Sequence, residues 1–124
     1  MGRSKGPRAE TEGMEVVHGR EVYGVGVGPE TRCAHYDSAV DVIAIRFACC
    51  GEYYPCYECH ESVADHEAAV WEDASARAVL CGVCGRELTV GEYLDCENTC
   101  PGCGAAFNPG CRRHYDRYFA ADVR

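Results

Sequence analysis

A chain of 124 residues with eleven cysteines and a formal charge of −8 is one domain at most, too small to bury a large core without cross-links. Residues 1–32 balance five basic against five acidic side chains, whereas residues 33–124 set seven basic against fifteen acidic. That excess excludes a phosphate-binding surface, and with it a nucleic-acid partner. No apolar run approaches the roughly 18–20 residues that span a bilayer, and MGRSKGPRAETEG lacks the apolar core of a secretory signal. The expectation is a cytoplasmic monomer without membrane attachment, in a reducing compartment where clustered cysteines hold metal.

Residues 1–13 read as a polar, disordered tail, residues 14–120 as the domain, and residues 121–124 as its C-terminal end. Alternating Val and Tyr in MEVVHGREVYGVGVG, residues 14–28, predict a strand or hairpin. DSAVDVIAIRFACC places Ile43, Ile45 and Phe47 on one face and Val40, Val42 and Ala44 on the other. Apolar residues on both faces predict a buried strand ending at the Cys pair. HEAAVWEDASARA is the place for a helical turn or two, with Ala68, Val70 and Trp71 as core contacts. RAVL reads as a short strand, LTVGEYLD as a short helix capped by Thr89, and CRRHYDRYFA as helical with Tyr115, Tyr118 and Phe119 at packing spacing. The fold class is a small α+β, irregular, zinc-stabilised domain of short strands and short helices.

The cysteines fall in two centres, residues 33–66 and 81–114. CGVCG (Cys81, Cys84) and CPGCG (Cys100, Cys103) are matching C-x-x-C turns. In each, two sulfurs reach one ion and the following glycine relieves the backbone, the pattern of a tetrahedral zinc site. The first centre offers Cys33, His35, Cys49, Cys50, Cys56, Cys59, His60 and His66, enough for two four-coordinate ions. Neighbouring residues of an extended chain point to opposite sides, so Cys59 and His60 serve different ions. One consistent solution gives Cys33, His35, Cys56 and Cys59 to one zinc and Cys49, Cys50, His60 and His66 to another. Cys96, Cys111 and His114 remain, either as ligands of a fourth ion that lacks its fourth donor or as packed side chains, and His18 reads as a surface or packing histidine.

Three alternatives are weaker. A thioredoxin-like dithiol at CPGC wants a single reactive pair at a helix start, and the trailing glycine and matching CGVCG favour a knuckle. PCYEC resembles half of a zinc deaminase motif, but the upstream HYD offers Asp instead of the required Glu, and a filled tetrahedron leaves no place for water. A disulfide scaffold fits poorly with adjacent Cys49 and Cys50 and an odd cysteine count.

CAHY, CC, CYECH, His66 and the two C-x-x-C turns resemble the CHY-type zinc finger. TRCAHY, DVIAIRFACC, CGVC and FNPGCRRHYDRYF further resemble its single-domain members, those similar to the helper of the small Tim proteins. The resemblance spans roughly residues 18–119. It implies three zinc ions on the twelve positions just named, in the same grouping. The finger also heads RING-containing ubiquitin ligases, but no RING motif follows here and ligase activity is not carried over. The expected protein is not an enzyme. It is a zinc-binding module with three structural ions that recognises a protein partner or helps its assembly. The alternative is a redox or metal-handling factor that uses labile zinc and spare thiols.

Overall fold

The computed structural model describes residues 13–108 and 115–120. The Val/Tyr alternation forms an antiparallel hairpin of β1 (Gly13–Val17) and β2 (Arg20–Gly24). His18 and Gly19 turn it with φ of 50° and 82°, the two left-handed residues that a two-residue type I′ connection requires. The predicted buried strand is β3 (Ile43–Arg46), which turns through the Cys pair into β4 (Tyr53–Tyr54). RAVL lies in β5 (Arg77–Cys81), which pairs with a further short strand, β6 (Glu87–Thr89).

These strands form one sheet in the order β1-β2-β4-β3-β5-β6, antiparallel except for a parallel contact between Val22 of β2 and Tyr53 of β4. Both faces of β3 are covered, which is why its sequence shows no polar face. Ile43, Ile45 and Phe47 join the larger apolar cluster, and Ala44 joins a smaller one with Val17, Val22, Tyr53 and Leu80. Val42 departs from the predicted alternation and packs in the larger cluster.

Two short helices complete the α+β domain. α2 (Val90–Asp95) starts where expected: the Glu92 N–H donates to Thr89 Oγ1 at 3.0 Å, and the Thr89 N–H donates to Glu92 Oε1 at 2.9 Å. This reciprocal capping box satisfies two backbone donors that the helix itself leaves open. The helical turn expected in HEAAVWEDASARA does not form. The helix lies upstream instead, as α1 (Tyr57–Val63). Residues 67–70 are irregular, Ala68 is exposed, Val70 is half-buried, and Trp71 alone packs against the core. Tertiary pairing overrides local propensity here. The Trp71 N–H donates to Tyr118 O and the Ala120 N–H to Trp71 O, both at 2.8 Å, so this segment bridges the C-terminal strap in extended form.

Within that strap the described part of the expected helix forms a 3₁₀ turn over residues 115–117, with Tyr118 and Phe119 buried behind it. Its first half, with Cys111 and His114, lies outside the described residues. Replacing Thr89→Ala removes one arm of the capping box and should cost about 1 kcal/mol. At fixed zinc concentration this reads as a lowered urea midpoint with an unchanged slope.

Candidate metal centre

Each group of ligand-type side chains sits where a turn or helix end presents it. The turn after β3 carries Cys49 and Cys50, closed by the Gly51 N–H donating to Phe47 O at 2.7 Å. Cys56 is the N-cap of α1, its Sγ accepting the Cys59 N–H at 3.4 Å. On this helix Cys59 and His60 point apart because successive residues are about 100° apart around the axis. The two side chains separate as the sequence predicts, but on a helix and not on the extended chain that the prediction supposes. Two matching turns carry the remaining cysteines. The Gly85 N–H donates to Cys81 O at 2.8 Å and the Gly104 N–H to Cys100 O at 2.9 Å. Both glycines have positive φ, 85° and 80°.

The fold brings twelve side chains into three sets, and within each set the ligand atoms all lie within 4.8 Å of one another. The sets are Cys33, His35, Cys56 and Cys59; Cys49, Cys50, His60 and His66; and Cys81, Cys84, Cys100 and Cys103. A tetrahedral zinc with its usual bond lengths implies edges of about 3.8 Å between two sulfurs, about 3.6 Å between sulfur and nitrogen and about 3.3 Å between two nitrogens. In the first set Cys33 and Cys56 are 3.7 Å apart, and His35 Nδ1 lies 3.8, 3.5 and 3.4 Å from Cys33, Cys56 and Cys59. In the second, Cys49 is 3.9 Å from Cys50 and 3.3 Å from His60 Nε2, which is 3.2 Å from His66 Nε2. In the third, Cys81–Cys103 and Cys84–Cys100 are 3.8 and 3.7 Å. Separations and donor chemistry both fit three Zn²⁺ ions.

Charge and hydrogen bonding point the same way. Hydrogen bonds from Cys56 and Cys59 favour a thiolate at Cys33 and lower its pKa, while the same contacts hold Cys56 and Cys59 above the ordinary thiol range. Three adjoining thiols thus resist ionising together, and a cation that joins them favours the thiolate form. Burial, helped by the neighbouring His66, lowers His60 to about 4, favouring the neutral imidazole that a metal takes. His66 donates through Nδ1 to Asp65 Oδ1 at 3.0 Å, leaving Nε2 facing the set. Such a carboxylate fixes ring orientation and raises ligand basicity.

The Val25 N–H donates to Cys59 Sγ at 3.4 Å and the Gly102 N–H to Cys100 Sγ at 3.3 Å. Asp65 and Val25 were not legible as site residues, since one needs a rotamer and the other a strand approach. His18 belongs to none of the three sets and is an exposed residue that packs over a turn. Its Nε2 lies 3.1 Å from Gly82 O and its ring covers Gly85, bracing the CGVCG turn. Cys96 caps the end of α2, half-buried, and belongs to none of the three sets.

Gly24 permits the close approach of β2 to the first set, since a Cβ there would lie 2.8 Å from Cys59 Sγ and 3.0 Å from Pro55. Gly24→Ala should weaken zinc at the first set by at least about tenfold through displacement of that sulfur. The third set should be unaffected, and competition with a chromophoric chelator reads both.

A family model for the CHY zinc finger matches residues 33–118. Helper of Tim protein 13 of Saccharomyces cerevisiae is 44% identical over 103 residues, spanning 79% of this chain and 89% of the relative. Its namesake in Kluyveromyces lactis is 44% identical over 104 residues, with 82% and 90% covered. An uncharacterised protein of Schizosaccharomyces pombe is 41% identical over 100 residues, with 79% and 88% covered. No solved structure gives a significant match. With three four-donor sets in place and a family model spanning them, this chain belongs to the CHY zinc-finger family.

Proposed function

We propose that this chain is a non-catalytic zinc module that binds a protein client and assists its assembly, the client being a Tim protein or one of similar chemistry. The carrying observation is that each set already supplies four protein donors. A structural zinc site is closed in this way, while a catalytic one keeps a position for water or substrate. The likeness to two proteins named Helper of Tim protein 13 supports the choice of client. Nine thiolates against three dications lower the formal charge from −8 to about −11. A strongly acidic partner is therefore disfavoured. No helix among the described residues is long and apolar enough to cross a membrane.

The direct test is calorimetric titration of the reduced, zinc-loaded chain with a purified small Tim protein. The expected result is saturable binding that disappears when a chelator removes the zinc. Absence of binding, or binding indifferent to zinc, contradicts the reading.

A second reading has one observation in its favour. Cys84 and Cys103 of the third set are exposed, whereas Cys81 and Cys100 are buried. A redox or metal-handling factor would use these accessible sulfurs. Mild peroxide separates the two: a structural module keeps all three zinc ions, while a redox factor releases zinc from the third set and forms disulfides there.

A further inference from the structure

The first two ligand sets share one short helix. α1 has seven residues, and its N-cap is Cys56, a member of the first set. Its next two ligand residues are adjacent: Cys59 belongs to the first set and His60 to the second. Isolated helices shorter than about 12–15 residues are marginal in water, so α1 depends on what ties it down.

The chain order interlocks the sets further. The span from His35 to Cys56 that the first set closes contains Cys49 and Cys50 of the second. The span from Cys50 to His60 that the second set closes contains Cys56 and Cys59 of the first. Closing either span shortens the loop that the other has left to close. Packing adds to this: Phe47, at the base of the Cys49–Cys50 turn, stacks on His60 with ring centroids 4.3 Å apart. The third set is built differently. All four of its ligands come from residues 81–103, and no ligand of another set lies between them. Its link to the rest of the domain is the β3–β5 ladder, where Cys81 pairs with Ile43 and the Gly82 N–H donates to Val42 O at 2.6 Å, and not a shared ligand-bearing element.

We propose that zinc binding at the first and second sets is positively cooperative, with α1 as the coupling element, while the third set fills independently. The coupling rests on the zinc-binding reading above and adds a regulatory consequence. The first two ions enter and leave together, so the CYECH half of the domain has two states, loaded and open. In the open state α1 is only partly formed, and the affinity at either set falls by the fraction formed. That fraction is small enough to weaken the remaining set by roughly tenfold or more.

The test uses the full chain carrying Cys84→Ser and Cys103→Ser, which disables the third set at two exposed positions. The reduced apo form is titrated with Zn²⁺ and its species are counted by native mass spectrometry. Cooperative filling passes from zero to two ions with the one-zinc species scarce at half-saturation. Two equal, independent sites would put about half the molecules in that species, and such a result overturns the coupling while leaving the zinc reading intact. A chain that takes no zinc overturns both.

A companion measurement introduces Cys33→Ser, which removes a ligand of the first set only, into the wild-type chain and follows Co²⁺ spectra. The two-sulfur, two-nitrogen signature of the second set should need roughly tenfold or more Co²⁺ to appear, while the four-sulfur signature of the third set stays in place. An unshifted second-set signature contradicts the coupling.

Discussion

The constraint on which the domain depends is the repulsion among sulfur atoms held about one van der Waals contact apart. Cys33 and Cys56 are both buried and lie 3.7 Å from each other. Such groups cannot all ionise in a partly desolvated site, yet ionised sulfur is the form that binds metal. A dication at the centre of each set turns that repulsion into attraction. Everything around the sets is short: strands of two to five residues and helices of seven and six. None of these elements is long enough to persist alone, so the metal sets act as the cross-links that hold them to one another.

How the ligand sets are arranged around the sheet follows from this. β3 lies at its centre, between β4 and β5, with Ile43 opposite Cys81 in the register. The β3–β4 turn carries half of the second set, the end of β5 begins the third, and α1 lies where it can reach both of the first two. The aromatic cluster of Phe47, Tyr54, His60 and Tyr118 fills the space between them. Tyr118 also accepts the Tyr57 N–H at the start of α1, at 3.0 Å. The C-terminal strap thus secures the same helix that carries the ligands, which connects the end of the chain to the metal region.

Much of the site was legible because its signals are local. A C-x-x-C-G turn carries its ligands and its backbone relief within five residues, so the third set could be read from spacing alone. The first two sets admit a consistent grouping once the neighbours Cys59 and His60 are given to different ions, and the family resemblance implies the same grouping. The secondary structure around them was harder to read. α1 has ligands where a helix usually shows an apolar stripe, and its N-cap is a cysteine instead of Ser, Thr, Asp or Asn. Both helix signals were therefore absent, although the helix is real. The converse holds at residues 66–78, where the sequence suggests a helical turn or two and Trp71 instead pairs with residues 118–120, about fifty positions away. Asp65 behind His66, and Val25 behind Cys59, depend on rotamers and strand approach that no spacing encodes.

The central claim is that three closed tetrahedral zinc sites hold this fold. Mass spectrometry of the purified, reduced wild-type chain, under native conditions and again after acid denaturation, tests it most directly. The account predicts a native mass heavier by three zinc ions, all lost in acid, with every thiol still reduced. Fewer than three ions would contradict the assignment of a metal to each set. No metal together with a mass lowered by paired hydrogens would mean that disulfides hold the domain instead.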